Sequence, residues 1–279
     1  MKKILACFFM VLGHIGLFFA DRLPIEAVLA LRILGSLALP LFAYSLALGF
    51  INTRSVGNYF LRLASCALIT QAVMFVFLPL SGLSVYAFPL NAVFTILCAF
   101  GLIYGCEILF SIPLDRIGSL HLVEANAQTH SDRYDIRIGS GHSAQDTSQG
   151  VYIPQLPPLL LFFTALFLIV SSVILSIFIR MEFGIFGVLT ALLFYLVEKR
   201  VTKNRTTWIF FSFLALDLLY ILISYALTQT IRIEGASISA VFLCYLPVKN
   251  QRPSHKVQYF YYAFFPLHIM LLLLLRLIL

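Results

Sequence analysis

The stretch PLLLFFTALFLIVSSVILSIFIR, residues 158–180, carries no charged side chain before its last position. A helix of about 20 mostly apolar residues is long enough to cross the hydrocarbon core of a bilayer, so this stretch predicts a membrane-spanning helix. Similar apolar runs, bounded by charges and turn residues, recur along the chain. They predict an all-α, polytopic transmembrane helix bundle with about nine spans, at roughly 4–20, 27–51, 58–80, 88–112, 158–180, 183–198, 207–229, 236–247 and 259–279.

The composition of the whole chain supports this fold class. Of its 279 residues, 61% are hydrophobic and 11% are charged, whereas soluble domains contain about 25% charged residues. This composition excludes a soluble globular enzyme, a disordered chain and a disulfide-stapled scaffold. The five cysteines lie inside apolar segments without metal-ligand spacing. We interpret them as small buried residues and predict no metal site.

The distribution of positive charge predicts the orientation in the membrane. If the N-terminus is cytoplasmic, all six lysines and most arginines fall in cytoplasmic segments, as the positive-inside rule requires. The net charge of +7 is therefore attributed to topology, and no nucleic-acid partner is expected. The polar segment 113–157 becomes a cytoplasmic loop, either a flexible connector or a regulatory or partner-binding segment. It interrupts what we otherwise expect to be a single transmembrane domain over residues 1–279.

A few polar side chains lie inside the apolar runs, and they are the candidates for function. A charge at the centre of a spanning helix raises the free energy of insertion by roughly 2.5–3.5 kcal/mol, so such residues are rare without a purpose. A rise of about 1.5 Å per residue places three of them about 15 Å from the cytoplasmic side. This depth predicts a layer of two imidazoles, a carboxylate and a guanidinium in the outer half of the bundle. The full set is His14, Arg32, Gln71, Asn91, Asp217 and His268, of which His14, Asp217 and His268 share that depth.

Structural roles are open for each of these residues. His14 can bond a backbone carbonyl, and His268 can stabilise the kink expected at Pro266. Arg32 and Asp217 can form a structural ion pair, and the two amides can hydrogen-bond between helices.

The same residue types also suit chemistry. A neutral imidazole can take a proton from an amine or hydroxyl nucleophile, and an arginine or asparagine can donate to a developing oxyanion. That combination favours acyl transfer. It suits the proton relay of a transporter equally well, so the residue types alone leave both functions open.

Six segments carry a further pattern in a fixed order. They are MVLGHIGLFF (10–19), LRILGSLALPLFAYSLALGFINTRS (31–55), NYFLRL (58–63), NAVFTILCAFGL (91–102), EFGIFGVLTALLFYL (182–196) and YFYYAFFPLHIMLL (259–272). Together they resemble the TraX family, membrane proteins named for acetylation of the pilin amino terminus in conjugative pili. Two positions differ from the family pattern: Gly13 stands where an Asp precedes the first His, and Ser36 stands where a second Arg follows the first.

The resemblance implies an integral membrane acetyl- or acyltransferase in the bacterial cytoplasmic (inner) membrane. It would take an acyl group from cytoplasmic acetyl-CoA, its donor substrate. The acceptor would be an amine or hydroxyl at the outer face, such as a pilin amino terminus or a polysaccharide. Membrane lipid is the other expected partner.

The residues expected to carry this function fall into three groups. His14 or His268 would act as the general base. The substrate would be positioned by Arg32, Asn91, Asp217 and Glu182, the last at a position where the family has Asp. The CoA phosphates would be bound by Arg54, Arg62, Lys199 and Arg200.

Two alternative functions stay open at this point. One is a proton-coupled transporter or flippase, whose relay would use the intramembrane histidines and Asp217. The other is a non-catalytic component of an envelope or pilus assembly machine, which the replacements Gly13 and Ser36 favour.

Overall fold

A computed structural model describes residues 2–53, 55–112, 156–228 and 255–279 of the protein. These ranges are almost entirely helical. The helices are α1 Lys2–Phe18, α2 Ile25–Ser36, α3 Ala38–Ile51, α4 Val56–Leu80, α5 Ala92–Ser111, α6 Pro158–Phe178, α7 Gly184–Arg200, α8 Arg205–Thr228 and α9 His255–Ile278, with a short 3₁₀ turn Val85–Ala87 before α5.

The helices coincide closely with the predicted spans. Six are long and apolar enough to cross a membrane, when α2 and α3 are counted together, and α1 is a shorter apolar helix. The protein is therefore a multi-pass helical membrane protein. The predicted span 236–247 and most of the predicted loop 113–157 lie outside the described residues. The total of nine spans and the cytoplasmic N-terminus stay predictions.

The predicted span 27–51 is divided in two at Leu37. Pro40 follows closely, and a proline has no N–H to donate to the carbonyl one turn earlier, with which its ring also collides. The N–H of Leu37 donates to the Leu34 carbonyl at 3.2 Å, which tightens the turn at the break. The chain thus changes from α2 to α3 in the middle of a membrane crossing.

The bundle has two ends, which we name by the residues found there. The N-terminal face is the end where Lys3, Asn58 and Gln258 line a common cavity. The distal face is the opposite end, where the last turn of α9 contacts Asp21 and Ser81. Accordingly α1, α4 and α9 all run from the N-terminal face to the distal face. Helix α8 begins at the N-terminal face, beside the end of α7, because Arg205 pairs with Glu198.

The centre of the bundle is a core of aromatic and aliphatic side chains from α3, α5 and α7. Phe50, Phe100 and Tyr195 are almost fully buried there, and Phe50 meets the other two rings edge-on. The Tyr195 hydroxyl and the Lys199 ammonium both donate to the Glu107 carboxylate. This network satisfies a carboxylate that would otherwise lie unpaired in an apolar core.

Helices α1 and α2 touch through two glycines. A Cβ atom built on Gly35 would lie 2.3 Å from the Cα of Gly13, and one built on Gly13 would lie 2.9 Å from the Cα of Gly35. Small residues allow two membrane helices to pack backbone against backbone. The contact therefore has no room for any side chain at either position.

We expect Gly35→Ala to lower the free energy of unfolding in detergent by about 1–3 kcal/mol, because the added methyl group must push α1 and α2 apart. The matched control is Gly57→Ala, where an added Cβ meets no atom within 4 Å. There the gain in helix propensity should leave stability unchanged or raise it by up to about 1 kcal/mol. Thermal unfolding of both variants checks this, and equal melting temperatures would contradict the close contact.

Candidate active site

His14 and His268 meet inside the bundle, from helices at opposite ends of the sequence. His14 is 7% exposed and His268 is 5% exposed. His14 Nδ1 lies 2.9 Å from the Met10 carbonyl, and His268 Nδ1 lies 2.8 Å from the Phe264 carbonyl, each one turn earlier in its own helix. Since a carbonyl only accepts, we assign the hydrogen of each neutral ring to Nδ1.

The two imidazoles also bond to each other. His268 Nε2 lies 3.2 Å from His14 Nδ1. With the assignment above, the Nδ1–H of His14 is shared between the Met10 carbonyl and His268 Nε2. His14 Nε2 is then left with a lone pair, which is what a general base requires.

The Pro266 kink has a different partner from the one expected. The proline frees the carbonyl of Tyr262, one turn earlier, and the Cys66 thiol donates to that carbonyl at 3.5 Å. His268 is bonded to Phe264 and His14 instead. The structural role considered for His268 at the kink is therefore filled by Cys66.

A carboxylate from Glu182 faces the free nitrogen of His14. One of its oxygens lies 4.0 Å from His14 Nε2, and the other accepts the N–H of Ala92 at 3.0 Å, in the first turn of α5. The backbone holds Glu182 there, because Leu90 donates to the Arg180 carbonyl at 2.8 Å and Glu182 donates to the Leu90 carbonyl at 3.0 Å. The carboxylate thus lies between His14 and the N-terminus of α5, where the helix dipole is positive.

His14, Arg32 and Glu182 line one small cavity of about 60 Å³. A cavity that holds a single water has about 10–15 Å³ of such volume, so this cavity has room for a small group rather than for a large ligand. Ser36 and Ala38, on the two sides of the break between α2 and α3, also line it. The break therefore lies in the wall of the cavity that His14, Arg32 and Glu182 line.

A larger cavity of about 480 Å³ adjoins the small one towards the N-terminal face. Phe42, Ile96 and Phe265 line both. The larger cavity carries two cations, Lys3 and Arg62. Its other polar lining residues are Ser45, Asn52, Thr53, Ser55, Asn58, Tyr59, Gln258, Tyr261 and Tyr262.

The predicted layer of two imidazoles, a carboxylate and a guanidinium is present, with one exchange. The carboxylate beside His14 belongs to Glu182 and not to Asp217. Asp217 is buried on α8, which packs against α7, and it does not line the cavity of His14. Its carboxylate oxygens have no hydrogen-bond partner among the described residues. The structure therefore does not bring Asp217 together with His14.

Asn91, predicted to position the substrate, is a helix cap in the structure. Its Oδ1 accepts the N–H of Val93 at 3.1 Å, which caps α5. Its Nδ2 donates to Gln71 Oε1 and to the Ala67 carbonyl, both at 3.0 Å. The amide is thereby used for structure, because it joins α4 to α5, and it does not line the small cavity.

Of the four cations expected to bind CoA phosphates, the described residues support only Arg62. Lys199 is paired with Glu107, and the Arg200 guanidinium lies 4.1 Å from the centre of the Phe110 ring. Neither lines the larger cavity. Arg62 does, and its Nε is buried without a hydrogen-bond partner in the described part of the chain. Arg54 lies outside the described residues.

Sequence reasoning missed Lys3 as a site residue. In the sequence, Lys3 was only one of the positive charges that predict the topology. In the structure, Lys3 lines the larger cavity, and its Nζ lies 5.6 Å from the centre of the Tyr261 ring. Its position near the start of α1, less than four turns before His14, was the available signal. An ordinary positive-inside lysine has the same position, so the sequence could not separate the two.

The fold and the site together define a multi-pass membrane protein in which His14 lines a cavity inside the bundle and His268 bonds to it from behind. The family model described as TraX protein matches residues 1–110. This segment is therefore similar to the TraX family, and the resemblance predicted from the sequence is confirmed there. The segment contains α1 to α5, with His14, Arg32 and Arg62. No curated protein and no solved structure matches the chain.

We expect Asn91→Ala to lower the free energy of unfolding by about 1–2 kcal/mol, the usual loss for a helix cap. Asn91→Ser keeps an oxygen that can accept the N–H of Val93 and should recover part of the loss. Thermal unfolding in detergent measures both. A variant that stays as stable as the wild type but loses activity would contradict the assignment of Asn91 as a cap.

Proposed function

We propose that this protein is a membrane acyltransferase that moves an acyl group, most simply acetyl, from acyl-CoA to an amine or hydroxyl. One observation carries the proposal. A cavity large enough for part of a donor leads from the N-terminal face to a small cavity in which His14 Nε2, Arg32 and Glu182 meet. The match to the TraX family over residues 1–110 supports it.

The two cavities suit the two ends of a thioester donor. Ligand sites of about 300–1,000 Å³ are typical for small molecules, and the larger cavity of about 480 Å³ falls in that range. Its Arg62 and Lys3 can pair with phosphate oxygens, for which guanidinium and ammonium groups are the usual partners. The small cavity of about 60 Å³ would receive the acyl group, and its size favours a short one.

The chemical step follows from the tautomer of His14. The lone pair on Nε2 takes the proton from the acceptor as its nitrogen or oxygen attacks the thioester carbonyl. Arg32 donates to the oxyanion that forms. The carbon–sulfur bond then breaks, and the imidazolium returns the proton to the CoA thiolate. The products are the acylated acceptor and free CoA, so atoms and charges balance.

His268 and Glu182 act on His14 and are positioning residues. His268 Nε2 accepts the Nδ1–H of His14, which keeps the lone pair on the nitrogen that faces the cavity. Glu182, 4.0 Å from that nitrogen, stabilises the imidazolium after the proton has moved. Glu182 stands where the family has Asp, so this carboxylate is kept, whereas the one that the family pattern places next to the first histidine is absent at Gly13.

The acceptor is inferred only as a chemical class. A pilin amino terminus and an envelope polymer such as a polysaccharide both present a nucleophile of the required kind. Because the donor cavity lies at the N-terminal face, a donor from the cytosol requires that face to be cytoplasmic, as the positive charges predict. The proposed location is the bacterial cytoplasmic membrane.

The first test is transfer from labelled acetyl-CoA in membranes that contain the wild type, His14→Ala or His268→Ala. The wild type should label an envelope component, and following the label identifies the acceptor. We expect His14→Ala to lower the rate by roughly 100- to 10,000-fold, the usual contribution of a general base. His268→Ala should lower it less, because it removes only the group that orients His14.

Equal melting temperatures of the three proteins are the control for folding. No label above empty membranes, with candidate acceptors present, would contradict acyl transfer and favour a transporter or a non-catalytic component. Equal rates in the wild type and His14→Ala would contradict the role of His14.

The second test compares Arg62 and Arg200, two of the residues predicted to bind the donor. Arg62→Gln should raise the KM for acetyl-CoA by roughly tenfold or more, since a charge-assisted bond to phosphate contributes about 1.5–3 kcal/mol. Arg200→Gln is the matched control, because Arg200 stacks on Phe110 outside the cavity, and its KM should not change. The same KM in both variants would contradict the placement of the donor in the larger cavity.

A further inference from the structure

An apolar layer covers the His14 ring on its distal side. Phe18, one turn beyond His14 on α1, is completely buried and stacks on the imidazole with ring centres 5.4 Å apart. The Phe88 ring lies 5.7 Å from the Phe18 ring. Other buried members of the layer come from α1, α4 and α9: Phe19, Met74, Leu78, Ile269 and Leu273.

A single buried arginine ties the ends of three helices together over this layer. Arg276, in the last turn of α9, is 5% exposed. Its guanidinium donates to both carboxylate oxygens of Asp21, at 2.6 and 2.8 Å, just beyond α1. It also donates to the Phe18 carbonyl at 2.6 Å and to the Ser81 carbonyl at 3.1 Å, at the end of α4.

Arg276 is buried although its partner Asp21 is 58% exposed, and it makes more bonds than an arginine in an ordinary surface ion pair. The two-oxygen contact with Asp21 is the strong, directional form of a guanidinium–carboxylate pair. The guanidinium also satisfies two backbone carbonyls that the ends of α1 and α4 leave without helical partners. If α9 moved away from α1, a buried charge and two carbonyls would lose their partners together, so the contact is closed or open with little between.

We propose that Asp21 and Arg276 form a latch that closes the distal face over His14 and must open for the acceptor to enter. The Phe18 carbonyl bond links the latch directly to the ring that covers His14. The need for entry from this face rests on the proposed function, because donor and acceptor must reach His14 from opposite ends. The latch itself is a property of the fold and can be measured without any donor.

The ion pair is intact over the ordinary pH range. The hydrogen bonds from Arg276 lower the pKa of the Asp21 carboxyl to about 2, below the usual value of about 3.9. Because the pKa of Asp21 is lower in the folded protein than in the unfolded chain, the ion pair stabilises the folded protein at pH values above the unfolded pKa. This stabilisation is lost as the pH falls towards 2. Ordinary acidity therefore does not open the latch.

The test measures access to the small cavity from each side of the membrane. Ala92, which lines that cavity, is changed to cysteine and treated with a small, permanently charged methanethiosulfonate in intact cells and in inverted vesicles. Tyr86→Cys, at a distal-face position that is 93% exposed, reports which preparation presents the distal face. Reaction of the native cysteines is measured in the chain without Ala92→Cys and subtracted, and reaction after denaturation shows that the thiol is intact.

With the latch intact, the Ala92→Cys thiol should react slowly from the distal face. Asp21→Asn should raise that rate by roughly tenfold or more, because the free energy of the pair sets the balance between closed and open forms. Glu26→Gln is the matched control: it makes the same carboxylate-to-amide change at an exposed site in the first turn of α2. In this variant the Ala92→Cys thiol should react at the same rate as in the protein with an intact latch.

Two further variants keep the test decisive if Asp21→Asn folds poorly. Arg276→Lys keeps the charge but cannot bond Asp21 and both carbonyls at once, so access should rise. Phe18→Ala removes the covering ring and leaves the ion pair, and access should rise again. Distal reaction that is already fast with the latch intact, or unchanged in all three variants, would overturn the proposal.

Failure of this test is distinguishable from failure of the proposed function. The thiol measurement contains no acetyl-CoA, so it reports the latch even if the protein transfers no acyl group. Conversely, acetyl transfer that depends on His14, together with free distal access, would leave the acyltransferase proposal standing and the latch refuted.

Discussion

Inside a bilayer, every polar group must find its partner within the protein, because no water is present to replace it. Much of this structure follows from that constraint. The two imidazoles bond to each other and to carbonyls of their own helices, and the Glu182 carboxylate takes a free N–H at the start of α5. Once these bonds are made, one nitrogen, His14 Nε2, is left facing a cavity with a carboxylate near it. The same bonds that satisfy the imidazoles within the protein therefore leave His14 Nε2 as the nitrogen that the proposed reaction uses.

The glycine contact between α1 and α2 explains why this site takes its carboxylate from a distant part of the chain. At Gly13 the neighbouring backbone is so close that no side chain fits, and an acidic residue there would separate the two helices. Glu182 reaches His14 from elsewhere in the chain, held by the backbone pairing of Leu90 with Arg180 and Glu182. His14 therefore still faces a carboxylate although Gly13 carries none.

The surroundings of the site differ at its two ends. Towards the N-terminal face it adjoins a larger cavity that carries Lys3 and Arg62. On the distal side of His14, Phe18 stacks on the imidazole and its carbonyl accepts a hydrogen bond from Arg276. This asymmetry fits an enzyme whose donor and acceptor arrive from different sides. It also assigns a role to Arg276, which composition alone marks only as a charge near the end of the last helix.

The sequence by itself determined the class of the protein, most helix positions and the polar residues worth attention, because long apolar runs and isolated charges are local signals. It identified His14, Arg32, His268 and Glu182, but it could not decide which carboxylate meets His14. It chose Asp217 on depth alone, since rise per residue gives height in the membrane and not direction around the helix axis. Only the tertiary structure decided that Glu182 is the partner, that Asn91 caps a helix, and that Asp21 pairs with Arg276. Those contacts join segments far apart in the chain, and packing between helices, which no local pattern records, brings them together.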